Sequence, residues 1–275
     1  MASQLNGKKY LSVMTDDFGL SPSINRGVRD SFEKGILTDA SLMANAPAFD
    51  EAVSMAKAGR ITIAAHINLV RGRMLTGANF PGSVPALWKD SLSHGCLLRI
   101  EKEARGQIEK ILKNDIKIYQ LNSEKHCHFF PAIFKLWVRL AADYGIPHVR
   151  FIREFCARLS PQGAKANLLS LFSLINRRYL EESGVRCTDH FTGILATGCL
   201  DKGRLVSIIE NVSAGWTELI THVGYDGDID ASMGKYFLEG RRREVELGAL
   251  IDPQIVDILA ANGVILRDFR GQHGK

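Results

Sequence analysis

Short apolar runs alternate along the chain with longer stretches in which apolar residues return at helical spacing. Short runs bounded by turn residues read as buried strands, and the periodic stretches as amphipathic helices. The runs fall at residues 10–14, 37–44, 61–65, 116–121, 148–152, 187–191, 218–221 and 264–266. Helical patterns cover 22–35, 47–58, 97–113, 131–144, 164–182, 201–211, 240–247 and 253–261. In the first of these, Ile24, Val28 and Phe32 share a face, Pro22 sits in the first turn and Gly35 marks the stop. Residues 73–95 carry Gly, Pro and Ser with little periodicity, which predicts a long loop.

Strand and helix alternating in this way imply a mainly parallel sheet. With 275 residues and 45% hydrophobic content, the chain can bury a large core. The fold expected is α/β: one irregular (β/α) barrel of TIM-barrel type spanning 1–275, rather than a doubly wound sheet or two smaller domains. The helix near 162–183, with Leu168, Leu169, Leu171, Phe172, Leu174 and Ile175, reads as an apolar helical insertion. No Gly-rich phosphate loop follows the first strand, which weakens nucleotide-binding readings.

Composition narrows the classes further. Charged residues at 24% and a net charge of +5 suit an ordinary globular protein. The region 144–186 holds seven Lys/Arg against three Glu, too diffuse for a nucleic-acid footprint but suited to a solvated face or an anionic partner. Five cysteines without CxxC spacing argue for reduced thiols. No run approaches the ~18–20 apolar residues that span a bilayer, and residues 1–9 lack an apolar signal core, so a cytoplasmic location is expected.

In barrels of this kind reactive groups gather at the C-terminal ends of the strands. Those ends carry Asp16 and Asp17, then His66, the segment 122–128, Arg150 and Arg153, Asp189 and His190, and finally His222. Adjacent carboxylates raise one another's pKa unless a cation or proton lies between them. Taken alone, Asp16-Asp17 reads as a solvated turn, and His66 between apolar neighbours as a core histidine. Glu124, His126 and His128 change that balance, because carboxylate and imidazole together suit Zn²⁺ or a similar ion with positions left open for water and substrate.

Several motifs then fall in register. Thr15-Asp16-Asp17-Phe18-Gly19-Leu20-Ser21, Asn25-Arg26-Gly27, Glu33-Lys34-Gly35-Ile36-Leu37-Thr38 and Ser41-Leu42-Met43-Ala44-Asn45 come first. Ala65-His66-Ile67-Asn68-Leu69, His126-Cys127-His128-Phe129-Phe130-Pro131, Tyr144-Gly145-Ile146-Pro147-His148-Val149-Arg150 and Glu218-Leu219-Ile220-Thr221-His222 follow. From about Lys9 to Tyr225 the chain resembles the YdjC-like carbohydrate deacetylases. The resemblance implies a barrel-like fold and divalent-metal-dependent removal of an N-acetyl group from a sugar. It places Asp17 and His66 as metal ligands, Asp16 as general base, His222 as a catalytic histidine, and Arg150 as a site arginine; Arg153 and Asn68 are further substrate-binding candidates outside that correspondence.

Two positions depart from the family. Glu124 stands where a ligand histidine is usual, and Asn122 where an aspartate is usual. Either Glu124 ligates, or His126 or His128 takes its place, or activity is lost. The ion implied is Zn²⁺, with Mg²⁺ and Mn²⁺ as alternatives. The apolar helix before Arg177-Arg178 also resembles the subgroup acting on lipid-linked sugars and in hopanoid pathways, which implies peripheral membrane contact. Core packing or a homo-oligomer contact would account for the same helix. No nucleic-acid partner is expected. A catalytically silent sugar- or lipid-binding homologue and a metal-dependent hydrolase of another bond are the rival functions.

Overall fold

A computed structural model describes residues 7–157, 160–226 and 242–273. The chain is organised on β1 (Lys9–Phe18), buried along nearly its whole length. Successive strand side chains point to opposite faces. Leu11 and Val13 accordingly join the large core beneath the helices, whereas Tyr10 and Met14 join a separate cluster with Ala64, Trp216 and Phe269 inside the sheet's curl.

The other elements follow in alternation: α1 (Pro22–Lys34), β2 (Asp39–Leu42), α2 (Phe49–Gly59), β3 (Thr62–Ile67), α3 (Val84–Asp90), α4 (His94–Leu112) and β4 (Ile118–Ser123). A 3-10 turn (Glu124–Phe129) leads to α5 (Pro131–Asp143), β5 (His148–Val149), α6 (Pro161–Ser183), β6 (His190–Thr192) and α7 (Lys202–Glu210). β7 (Gly215–Thr221), α8 (Arg243–Ile251), α9 (Gln254–Ala261) and β8 (Val264–Leu266) complete the order. Of the pattern expected at 240–247, residues 240 and 241 lie outside the described residues.

The strands pair in parallel in the order β5-β4-β3-β2-β1-β7-β6. β8 pairs with Lys9–Leu11 of β1, below the point where β2 begins at Met14. The curl meets itself between β5 and the segment entering β6. There Val149 N–H donates to Arg186 O at 2.9 Å, and Arg186 N–H to Pro147 O at 3.0 Å. The result is an irregular, TIM-barrel-like parallel barrel in one α/β body.

Local chemistry sets the element ends. Ser21 caps α1 by accepting from Ile24 N–H, with Pro22 in the first turn. Gly27 is needed on α1 because a Cβ there would lie 2.6 Å from Gly224 Cα, so the helix closes directly on the loop after β7. Ser160 caps α6, which stops at Gly184 in the left-handed region at φ 74°.

Three expectations change. The stretch 73–95 contains α3, too short at 7 residues to show a helical period, and Trp88 on it donates to Cys127 O at 2.8 Å. Trp88 also stacks on Phe130 and meets Phe172 edge-on, so this segment is fastened to the 3-10 turn. β6 begins only at His190, which puts Asp189 and His190 at its N-terminal end rather than with the reactive ends. Asp189 there accepts from Trp216 N–H, and His190 faces Ala214 O. Lastly, α6 buries Ala166 and Leu169 against Phe129, Ile152, Phe191, Ile194 and Ile220, with Phe172 packed on the same cluster, while Leu168, Leu171, Leu174 and Ile175 stay 43%, 52%, 59% and 45% exposed. Among the described residues, no helix is long and apolar enough to cross a membrane.

Candidate metal centre

The end of β1 solves the problem of presenting neighbouring carboxylates to one site. The register with β2 shifts between Thr15 and Phe18, and Asp17 takes a positive φ of 69°. A bulge of this kind admits an extra residue and re-aims side chains, and Asp tolerates the left-handed region better than most residues. Asp16 and Asp17 therefore both reach the barrel mouth, each fully buried.

His66, at the same end of β3, lies beside both. Its Nε2 is 3.8 Å from Asp17 Oδ1 and 3.3 Å from Glu124 Oε2, and one donor atom from each of Asp17, His66 and Glu124 falls within 4.8 Å of the others. The other ring nitrogen, Nδ1, is 2.6 Å from Asn122 Oδ1. Asn122 Nδ2 is committed as a donor to Ser41 Oγ and Gln120 Oε1, which fixes its carbonyl oxygen toward the imidazole. Nδ1 is thereby the protonated nitrogen, and Nε2 is aimed at the two carboxylates. Metal-binding histidines are oriented in this way by a hydrogen bond to the far nitrogen. Burial alone would lower the His66 pKa, but Asp16, Glu124 and Asp17 outweigh it and push it up to about 9. A pocket that stabilises a positive charge on Nε2 this strongly has the electrostatics to hold a cation, so the residues present fit a divalent ion.

Two arginines that pattern and spacing alone do not mark complete this cluster. Arg71 Nε lies 3.0 Å from Glu124 Oε1, and Arg243 Nη2 donates to Asp17 Oδ2. Glu124 is only 3% exposed, and Arg71 and His66 lie against its two oxygens. Asn68, expected to face substrate, instead builds the turn that carries Arg71. Its Oδ1 accepts from Arg71 N–H at 3.0 Å, and its Nδ2 donates to Arg71 O at 2.8 Å. Gln107 on α4 holds the backbone of Asn68 from both sides.

Behind Asp16 lies a second charged layer. Arg150 donates to both of its oxygens, at 2.7 and 2.9 Å, and through Nε to Glu218 at 2.8 Å. Glu218 in turn accepts from Gln120 at 2.8 Å, tying β7 to β4 across the barrel. Burial raises the Asp16 pKa, yet Arg150 and His66 more than offset it and hold the carboxyl far below its usual range. Arg150 is wholly buried and committed to these carboxylates, so it is placed to act on Asp16 rather than to touch a substrate. His222 follows β7 at the same mouth, close enough to lower the Asp16 pKa further, and its backbone N–H donates to Glu246 at 2.6 Å.

The remaining candidates lie apart. His128 has Nδ1 against Ser123 Oγ at 2.6 Å and Nε2 against Arg150 O, with its ring stacked on Trp137. Burial drives its pKa down to about 3, so it is a neutral core histidine. His126 is buried on the same turn at a left-handed φ of 56°, its pKa held well down by burial. Neither belongs to the group that converges on His66 Nε2. Arg153 is exposed, lies over the Phe151 ring and donates to Asp189 O, lining a surface crevice with His190 and Asn211.

Comparison with known proteins agrees with the motifs and the barrel. A carbohydrate deacetylase of Geobacillus stearothermophilus is 28% identical over 268 residues, 95% of this chain and 97% of that protein. Another, from Thermoanaerobacter pseudethanolicus, is 24% identical over 272 residues, 95% and 98% of the two chains. A crystal structure from Enterococcus faecalis, described as a candidate cellobiose-phosphate cleavage protein, superposes with a TM-score of 0.75 at 18% identity. It covers 96% of this chain and 98% of its own and shows the shared fold. The profile of the YdjC-like proteins matches residues 10–261, nearly the whole barrel, and the chain belongs to that family.

Proposed function

We propose that this protein is a divalent-metal-dependent hydrolase that removes the N-acetyl group from an acetylated amino sugar. The observation that carries this reading is the convergence of Asp17 Oδ1, His66 Nε2 and Glu124 Oε2 beside Asp16 at the reactive end of the barrel. Two related full-length proteins named carbohydrate deacetylases support the substrate class. Asp17, His66 and Glu124 would hold the ion, with Zn²⁺ best matched to an O/N/O set and Mg²⁺ or Mn²⁺ as alternatives. A divalent ion bound there supplies Lewis acidity toward the acetyl carbonyl and a lowered pKa for water. Asp16 accepts the water's proton, Arg150 holds its carboxylate in place, and His222 delivers a proton to the departing sugar amine.

The substrate is proposed to be lipid-linked. The exposed side of α6 carries Leu168, Leu171, Leu174 and Ile175, an apolar stripe suited to a membrane surface. A second reading, a sugar-binding homologue without turnover, draws on the double hydrogen bond from Arg150, since a carboxylate stabilised so far is a weak base. Acetate release from free, nucleotide-linked and lipid-linked N-acetylated sugars, with divalent metals added, separates the two. Turnover on any of them, lost in Asp16→Asn, supports the hydrolase. Metal binding with no acetate from the panel supports the binding protein.

A further inference from the structure

Each carboxylate of the cluster has one oxygen turned toward His66 and the other toward a buried arginine. Asp17 directs Oδ1 at His66 Nε2 and gives Oδ2 to Arg243. Glu124 directs Oε2 at the same nitrogen, and its Oε1 lies 3.0 Å from Arg71 Nε as an ion pair. Guanidinium groups have no lone pair with which to bind a metal, and burying two of them beside a cation site opposes cation binding. Some property other than affinity must account for them.

Both arginines are held firmly. Arg71 hangs from the Asn68 turn, itself fixed by Gln107, and Glu103 holds the following turn through Leu75 and Thr76 N–H. Arg243 opens α8, and Glu246 on that helix joins Gly198 N–H to His222 N–H. Among the described residues, Nε and Nη1 of Arg243 are buried without a hydrogen-bond partner, and its Nη2 is turned to Asp17.

Resting on the metal-site reading above, we infer that Arg71 and Arg243 are positioning residues that restrict Glu124 and Asp17 to one ligating oxygen each and offset their charge. The site then selects Zn²⁺-like ions over Ca²⁺. Ca²⁺ draws its affinity from many oxygens, bidentate carboxylates and a high count of negative charge. Zn²⁺ accepts a small set that includes imidazole nitrogen. Two carboxylates, each with its second oxygen and its charge taken by an arginine, leave Ca²⁺ little, while His66 Nε2 still serves Zn²⁺.

The test is calorimetric titration of the metal-stripped protein with Zn²⁺ and separately with Ca²⁺, for wild type, Arg71→Met and Arg243→Met, with circular dichroism to follow folding. The ratio of Zn²⁺ to Ca²⁺ affinity is expected to fall about tenfold or more in each Met variant, since charge count and bidentate binding tune Ca²⁺ sites. Equal weakening toward both ions, with the ratio unchanged, would mean that the arginines only hold the fold and would overturn the inference. Should a Met variant not fold, Arg71→Lys and Arg243→Lys replace it. A point charge no longer grips one oxygen, so a smaller drop in the ratio is expected, and an unchanged ratio again overturns the inference. Wild-type protein that binds neither ion would instead overturn the metal-site reading itself.

Discussion

Asp16 and Asp17 are chain neighbours with different surroundings, and their roles divide accordingly. Asp17 shares the cluster with His66 and Glu124, whereas Asp16 is gripped by Arg150. Asp16→Asn is expected to retain bound metal and lose activity by ~10²–10⁴-fold, the usual cost of removing a general base. Equal metal loss in Asp16→Asn and Asp17→Asn would show the roles to be misassigned. Arg150→Met tests the layer beneath. Without the guanidinium, burial is the largest influence left on Asp16 and raises its pKa. The acid limb of the kcat/KM profile should therefore move to higher pH, and an unmoved limb would show that Asp16 does not set it. For Glu124, metal analysis decides: Glu124→Ala should lose most of the bound ion and Glu124→His recover much of it. The two arginines were the residues least legible in the sequence. Arg243 lies 226 residues from the Asp17 it partners, and Arg71 follows an ordinary loop, so only the folded chain brings either to a carboxylate.

At the scale of elements, order was legible and ends were not. The alternation of apolar runs and helical periods placed the strands in sequence because burial on both faces of a parallel strand leaves a continuous apolar run. It misjudged β5, of 2 residues, because Ile152 beyond it joins the cluster packed on α6, and β6, of 3, because Asp189 before it is turned to Trp216 N–H. The motif Asn25-Arg26-Gly27 also gains a physical reason. Asn25 accepts from Gly19 N–H and donates to Ala48 O, tying the loop after β1 to the start of α2. Gly27 admits Gly224 next to it, and Gly27→Ala should cost about 1–3 kcal/mol, the usual penalty of overpacking. Urea unfolding measures it, and an unchanged midpoint would mean that the loop after β7 shifts without strain. For α6, the residues to change are Leu168, Leu171, Leu174 and Ile175, not Phe172, which packs on Trp88 and Phe130. Serine at those four positions should abolish liposome co-sedimentation with little change in Tm. Absence of binding by the parent protein would return that face to an oligomer contact.

For the whole molecule, pH links fold and site through His66. Its pKa in the folded, metal-free protein is raised from 6.5 to about 9. The stabilisation this represents is fully present below 6.5 and lost as pH rises through about 9. Metal-free protein should therefore lose Tm across that window from this residue. Zn²⁺-loaded protein should not, because Nε2 then has no proton to lose. Binding at pH 7.5 should release about one proton per ion, read from calorimetry in buffers of different ionisation enthalpy. The central claim is tested most directly by measuring acetate release from an N-acetylated amino sugar while Zn²⁺ is titrated into the stripped enzyme. No release without metal, rising to a plateau at about one ion per chain, is expected for a single three-residue site. Acetate release that persists in stripped protein and ignores added metal would contradict the account.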